Sequence, residues 1–259
     1  MFDLGLVPHD EFAKKLINQG MILGTSAFVY RIQGENKFLS KGLIEGNEIQ
    51  PIHADVSFVN ASDELDMEAF KNWREEFKYA EFITEDDGTF KVKRDVEKMS
   101  KSKYNVVNPD QICIDYGADS LRLYEMFLGP LEQYKPWNTA GITGVHGFLK
   151  KLWKLYFNGE TFEVSDAAPT KDELKVLHKT IKKVEEDIEN FSFNTSVSTF
   201  MIAVNEFTAL KCNKRAILEP LAILVSPYAP HIAEELWSLL GNKKSIATAE
   251  FPVFDAKHL

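Results

Sequence analysis

The sequence predicts an α+β protein that is mainly α, in which a small β-rich segment precedes a helical bundle. Short runs of β-forming residues, separated by glycine and proline, occupy residues 30–62. Apolar residues then recur every three or four positions from residue 105 towards the C-terminal region. The hydrophobic content of 44% and the charged content of 27% are ordinary for a globular protein.

Residues 10–20 predict a short helix, and the apolar run from Met21 predicts a strand. Phe12, Leu16 and Ile17 recur at helical spacing, and a glycine follows as a C-terminal stop. No strand precedes this helix for it to cover. We therefore interpret the segment as the tail of a larger α/β unit.

The next block is acidic and predicts a small unit of its own. Residues 45–90 hold 13 acidic and 3 basic side chains, whereas residues 91–103 hold 6 basic and 2 acidic ones. Residues 53–60 alternate as a strand does, and residues 79–94 predict a β-hairpin with its turn at Asp87-Gly88. We interpret the block as an insertion.

Helices are predicted from apolar spacing and from capping residues. Residues 61–77 predict one with Ser62 or Asp63 as N-cap. Asn108-Pro109 predicts the start of another, and Gly117 interrupts it before a further helix that begins near Ala118. The remaining predicted helices lie in the sequences GITGVHGFLKKLWKLYF, DELKVLHKTIKKVEEDIENF, FNTSVSTFMIAVNEFTAL (capped by Asn194 or Thr195) and ILEPLAILVSPYAPHIAEELWSLLG, the last as two pieces separated by Pro227 and Pro230. Short loops between them predict a helical bundle.

Several classes of protein are disfavoured by the sequence. No apolar run approaches the roughly 20 residues of a membrane span, and the N-terminus lacks the pattern of a signal peptide. Cys113 and Cys212 are far apart, which predicts neither a disulfide framework nor a zinc site and favours the cytoplasm. His146, His178 and His231 show no ligand spacing, so no metal site is predicted.

The candidate site is the pentapeptide Lys98-Met99-Ser100-Lys101-Ser102, which is basic although the whole chain has a net charge of −9. Lysine ammonium groups are mobile point charges that suit phosphate oxygens. Lysines that close on a departing pyrophosphate only in the transition state would speed the activation of a carboxylate. We predict Lys98 and Lys101 as catalytic residues, with Ser100 and Ser102 donating hydrogen bonds or shaping the turn. Taken alone, the pattern also fits an ordinary surface loop.

The flanking residues resemble the leucyl branch of the class I aminoacyl-tRNA synthetases, whose signature loop is KMSKS. The matching features, in order, are INQGMILG before the loop, then Asn105 to Pro109, Tyr116-Gly117-Ala118-Asp119 with Arg122-Leu123, Trp137, FSFNTSVS (191–198) and PYAPHIAEELW (227–237). The last two are similar to the helical anticodon-binding domain that leucyl, isoleucyl, valyl and methionyl enzymes share. The resemblance covers nearly the whole chain.

The resemblance implies a division into four parts. Residues 1–30 would be the C-terminal remnant of a Rossmann catalytic domain, and residues 31–95 a leucine-specific type of α/β insertion. Residues 96–160 would hold the KMSKS loop and stem-contact helices, and residues 161–259 the anticodon-binding domain.

The resemblance also implies a function as part of leucine–tRNA ligase. Its substrates would be leucine, ATP with Mg²⁺, and tRNA(Leu), and the pentapeptide 98–102 would bind ATP. No zinc, no membrane contact, a monomeric state and a cytoplasmic location are expected. The His-x-Gly-His signature and the amino-acid pocket of the family are absent from the sequence, so we expect the fragment to be inactive alone.

Two alternatives remain open: the same region of an isoleucyl, valyl or methionyl enzyme, and a stand-alone tRNA-binding module. The candidate tRNA-binding residues are Arg122, Lys175, Lys179, Lys182 and Lys183. Arg122 could instead pair with Asp119 or Glu125, and the four lysines could form a solvated face. Trp137 is interpreted as a packing residue.

Overall fold

The structure is a computed structural model that describes residues 1–259. A long central strand, β1 (Ile22–Ile32), organises its N-terminal half. β1 pairs antiparallel with β3 (Ile49–Ala54) along one edge and with β5 (Lys93–Lys98) along the other. Three short strands complete the six-stranded sheet: β2 (Lys37–Leu39), β4 (Glu81–Ile83) and β6 (Lys135–Pro136).

One face of this sheet carries a core of its own. Alternate residues of β1, Ala27 and Val29, are fully buried on this face, because successive side chains of a strand point to opposite sides. Helix α1 (Met67–Trp73) covers them and contributes Phe70. Phe70 stacks on Phe77 with ring centroids 4.5 Å apart.

The rest of the chain forms a helical bundle around a larger core of 28 buried residues. Its helices are α2 (Pro109–Tyr116), α3 (Ala118–Phe127), α4 (Ile142–Lys154), α5 (Lys171–Glu189), α6 (Phe193–Ala209), α7 (Arg215–Val225) and α8 (Pro230–Leu239). A small hairpin, β7 (Phe157–Asn158) with β8 (Thr161–Phe162), follows α4. None of these helices combines the length and the apolar character that a membrane-spanning helix needs.

The predicted fold class is confirmed, since a small sheet precedes a helical bundle. Gly117, at φ 87°, separates α2 from α3 as predicted, and the Asn108 side chain caps α2 by accepting from the Asp110 N–H. Pro230 begins α8. The four-part division stays a prediction, although two of its limits, 30/31 and 95/96, fall inside β1 and β5.

The helix predicted over residues 10–20 is wrong. Those residues form bends and irregular backbone, and Phe12 and Leu16 are 100% and 82% exposed. A helix of that length is unstable in water unless its apolar stripe packs against something. Here the stripe has no partner.

The pairing predicted within the acidic block is also wrong. A turn does form at Asp87-Gly88, but β4 pairs in parallel with β2, and β5 pairs with β1 instead of forming a hairpin with β4. The strand predicted over residues 53–60 ends at Ala54 and continues as a 3₁₀ turn. Local patterns identified β-forming residues without determining their distant partners.

Two predicted caps are wrong as well. The N-cap of α1 is Asp66, which accepts from the Ala69 N–H, whereas Asp63 lies in the left-handed region at φ 61°. Helix α6 begins after Ser192 without a side-chain cap, so neither Asn194 nor Thr195 caps it. The N-cap of α1 lies three or four residues after the predicted positions, and the N-cap of α6 lies two or three residues before them.

Candidate functional site

The predicted loop lies at the end of the strand that borders β1. β5 ends at Lys98, and Ser100 then caps a 3₁₀ turn over Lys101–Lys103 by accepting from the Ser102 N–H. The Ser100 and Ser102 hydroxyl oxygens are 2.8 Å apart. Tyr104 closes the turn in the left-handed conformation, at φ 53°. The two serines therefore shape the turn, as one of the predicted roles requires.

Asn105 holds the two ends of this loop together. Its side chain is 2% exposed and accepts from the Ser100 N–H at 2.9 Å. The amide nitrogen donates to the Lys98 carbonyl at 3.3 Å and to the Ser26 hydroxyl of β1 at 2.9 Å. One buried amide thus connects the start of the loop, its turn and the central strand.

Gly24 lets the loop approach β1 closely. A Cβ atom at this position would lie 2.5 Å from the Asn105 carbonyl oxygen and 3.0 Å from the Met99 Cγ. Any larger residue would therefore push the loop away from the strand. Met99, the apolar member of the pentapeptide, is half-buried against this glycine.

The lysines of the loop differ in their partners. Lys98 and Lys101 are exposed, and neither ammonium group has a carboxylate within 4 Å or a hydrogen-bond acceptor in residues 1–259. Lys103, in contrast, lies 2.7 Å from the Glu97 carboxylate. The structure thus leaves unpaired the two lysines that we predicted to be catalytic.

Glu97 is the one acidic group at the base of the loop. The other oxygen of its carboxylate lies 2.9 Å from Nε2 of His53 on β3. The Lys103 ammonium and then the Ser26 hydroxyl lower the pKa of Glu97 to about 2, against the penalty of burial. Sequence reasoning missed Glu97, His53 and Ser26, because their meeting depends on strand register.

The far end of the loop contacts the acidic block. The Tyr104 hydroxyl accepts from the Arg74 guanidinium at 2.6 Å, and its ring meets the Trp73 ring edge-on at 4.6 Å. The Tyr104 carbonyl accepts from the Val56 N–H at 3.1 Å. The block therefore supports the loop directly.

The motif Tyr116-Gly117-Ala118-Asp119 with Arg122 joins the helices that follow the loop to the end of the bundle. Asp119 is buried, and its carboxylate accepts from the N–H groups of His231 and Ile232 at 3.2 and 2.7 Å, which caps α8. Its Oδ1 is also 2.8 Å from the His231 ring. Arg122 donates to the Pro227 carbonyl at 3.0 Å rather than pairing with Asp119 or Glu125.

The predicted lysine stripe on α5 is partly occupied by internal contacts. Lys183 pairs with the buried Asp187, and Lys182 lies over the Phe254 ring at 5.8 Å. Lys175 and Lys179 are exposed without an ionic partner. Their assignment to tRNA binding, like that of Arg122, stays a prediction.

A second basic surface was missed by sequence reasoning. A cleft of about 550 Å³ lies between the α2–α3 corner, α4 and α8. Its lining includes Lys150, Lys154, His146, His231 and Trp153. Both lysines are exposed and lack carboxylate partners. Their spacing of four residues was a usable signal, because it places them on one face of α4.

The remaining candidates have structural contacts. The Trp137 ring meets the Tyr124 ring edge-on at 5.0 Å, in agreement with a packing role. His178 accepts from the Asp255 N–H at 3.0 Å. Both cysteines are free thiols, and burial raises the pKa of Cys212 to about 11.

The comparisons with known proteins agree with this geometry. A family model described as the anticodon-binding domain of tRNA ligase matches residues 171–259, and one described as tRNA synthetases class I (I, L, M and V) matches residues 74–133. The chain is 71% identical over 259 residues to a leucine–tRNA ligase of Christiangramia forsetii. It is 69% identical over 257 residues to that of Flavobacterium johnsoniae. Over nearly its whole length, the chain is similar to one region of these leucine–tRNA ligases.

The chain spans 27% of the length of each of those two relatives, while 100% and 99% of the chain are matched. A solved structure is also similar: a ternary complex of the agnB2 LeuRS of Agrobacterium radiobacter K84 with tRNA and LeuAMS. It aligns with a TM-score of 0.54 at 27% identity, over 62% of this chain and 23% of that one. The predicted resemblance is confirmed.

Proposed function

We propose that this region supplies the phosphate-contacting loop and RNA-docking helices of a leucine–tRNA ligase. The complete ligase would join leucine to ATP, forming leucyl-adenylate, and then transfer the leucyl group to tRNA(Leu). The observation that carries the proposal is the pair of unpaired, exposed ammonium groups of Lys98 and Lys101 on a loop whose ends are fixed by a buried amide. The kinship to leucine–tRNA ligases supports the amino acid.

The proposed chemistry needs charge from the loop rather than proton transfer. A leucine carboxylate oxygen bonds to the α-phosphorus of ATP while the bond from that phosphorus to the bridging oxygen breaks. Negative charge then develops on the leaving pyrophosphate. Lys98 and Lys101 would neutralise it, and the stabilisation would be greatest in the transition state because the charge is greatest there. Met99, Ser100 and Ser102 would shape the ATP-contacting turn.

Mg²⁺ is expected to accompany ATP in the complete ligase. No group of three or more His, Cys, Asp or Glu side chains in residues 1–259 is arranged to hold a metal ion. The absence of zinc, the monomeric state and the cytoplasmic location stay predictions.

Amino-acid specificity tests the proposal against the isoleucine, valine and methionine alternatives. The assay is aminoacylation of purified tRNA by the complete ligase that contains this region, with each of the four amino acids in turn. We expect rapid charging with leucine alone. Preferential charging with isoleucine, valine or methionine would overturn the assignment.

We further propose that tRNA phosphates contact the cleft formed by α4 and α8, with Lys150 and Lys154 as the main cations. Replacing both by alanine should weaken tRNA binding to the complete ligase. The slope of log K against log salt should also become shallower by about 1–2. Each phosphate contact that is lost removes about one counterion from the number released on binding. The measurement is a salt titration of tRNA affinity.

A matched variant separates the two basic surfaces. Lys175→Ala with Lys179→Ala removes the same charge from α5, where the stripe also carries Asp172 and Glu186. We expect a smaller change in slope for this pair than for the cleft pair. A larger change in slope for the α5 pair would instead place the tRNA contact on the lysine stripe of α5. If the unmodified ligase bound no tRNA, the docking role would be contradicted altogether.

A further inference from the structure

Glu97 sits where three strands and both ends of the loop meet. It lies on β5 immediately before Lys98, and its carboxylate contacts the Lys103 ammonium at 2.7 Å and the His53 ring at 2.9 Å. Its side chain is 23% exposed. The contacts therefore reach forward to the turn of the loop and sideways to β3.

The sheet is built so that this sideways contact can form. Glu97 is the register partner of Gly24 on β1, while His53 is the register partner of Phe28. Gly24, Ser26 and Phe28 lie on the same face of β1, because successive side chains of a strand point to opposite sides. The first two of these residues are small. The Glu97 side chain can thus cross the central strand and reach the next one. Phe28 packs against the His53 ring at 4.4 Å.

The charges around the loop give this contact a consequence. Three lysines, Lys98, Lys101 and Lys103, lie within six residues, and Lys103 alone has an anionic partner. The neighbouring charges of β5 are neutralised separately, because Lys93 pairs with Asp95 and Arg94 with Asp63. By pairing with Lys103, Glu97 therefore leaves the ammonium groups of Lys98 and Lys101 free to contact phosphate.

We propose that Glu97 is a positioning residue that holds Lys103 back and fixes the base of the loop, so that only Lys98 and Lys101 reach the pyrophosphate. The proposal rests on the proposed function of the loop. Glu97 does not touch the substrate. It acts through Lys103 on one side and through His53 on the other.

The test is leucine-dependent exchange of pyrophosphate into ATP by the complete ligase. In Glu97→Gln the Lys103 ammonium loses its partner and competes for the phosphates, and in Lys103→Met the Glu97 carboxylate is free to attract Lys98 or Lys101. We expect each single variant to lower kcat about tenfold, with KM for leucine unchanged. The double variant removes both the Glu97 carboxylate and the Lys103 ammonium, so neither is left without the other, and kcat should recover to within about threefold of the unmodified ligase.

Asp95→Asn is the matched control, because it removes a carboxylate of the same strand that pairs with a lysine outside the loop. We expect its kcat to be unchanged. Unchanged kcat in both Glu97→Gln and Lys103→Met would overturn the proposal. A loss of kcat in the double variant as large as the product of the two single losses would also overturn it, because that result would indicate two independent structural effects.

The unmodified ligase is assayed first. If it exchanges no pyrophosphate with leucine, the proposed function fails and the Glu97 proposal falls with it. If it does, the variants test Glu97 alone. Should Glu97→Gln fail to fold, Lys103→Met, which changes a lysine on an exposed turn, still decides the outcome by its kcat.

Discussion

At the residue scale, the loop depends on a few side chains that fix its ends. The lysines and serines of the pentapeptide were predictable from local sequence, because their spacing and chemistry are visible within five residues. Asn105 is recognisable from sequence only as the first residue of the motif Asn105 to Pro109. Its contact with Ser26 spans 79 residues of sequence and requires the register of β5 on β1.

Asn105→Ala should destabilise the chain substantially. The substitution leaves the Ser100 N–H without its acceptor and removes the donor to the buried Ser26 hydroxyl and to the Lys98 carbonyl, which costs roughly 2–4 kcal/mol of the free energy of unfolding. Urea denaturation of the variant measures this. The exposed Asn47 is the control, and Asn47→Ala should change the free energy by about 0.5 kcal/mol or less. Equal effects of the two substitutions would show that the loop ends are not fixed by Asn105.

Glu97 should make stability depend on acid pH. Its pKa is lowered to about 2 in the folded chain, from an ordinary value of 4.5, by Lys103 and Ser26. Its contribution is therefore fully present above pH 4.5 and is lost as the pH falls towards 2. The free energy of unfolding should accordingly fall more steeply over this range in the unmodified chain than in Glu97→Gln. Parallel pH profiles would show that the carboxylate is not stabilised by folding.

At the element scale, long periodic segments were predictable and short ones were not. α5 combines a complete apolar stripe with a capping box, Thr170 and Glu173, so sequence and structure agree. The short strands of the acidic block pair with residues that local patterns do not identify. The helix predicted before β1 lacked a surface to cover, and its three apolar residues, Phe12, Leu16 and Ile17, could not stabilise it without one.

The contact between α3 and α8 is carried by Asp119. Asp119→Ala should lower the free energy of unfolding by about 1–3 kcal/mol, because it removes the carboxylate that caps the first turn of α8 and leaves two N–H groups without an acceptor. Asp119→Asn keeps one acceptor and should cost about half as much. Asp172, exposed in the first turn of α5, is the control and should cost about 0.5 kcal/mol or less as alanine. A comparable loss at Asp172 would contradict the capping role.

At the scale of the whole molecule, the loop lies where the sheet, the acidic block and the helices after the loop come together. Tyr104 contacts the block through Arg74, and Asn105 contacts the central strand. The identity of the family was predictable from sequence because its motifs combine with spacing over nearly the whole chain. The supporting contacts of the loop were not, since they join residues distant in sequence.

The most direct test of the account is the rate of leucyl-adenylate formation in the complete ligase with Lys101→Ala, and then with Lys98→Ala as well. We expect the barrier to rise by roughly 2–4 kcal/mol for the single variant, while leucine affinity stays unchanged. Lys93→Ala, on the same strand but outside the loop, should retain the full rate. An unchanged rate with both loop lysines replaced would contradict the central claim that these ammonium groups stabilise the departing pyrophosphate.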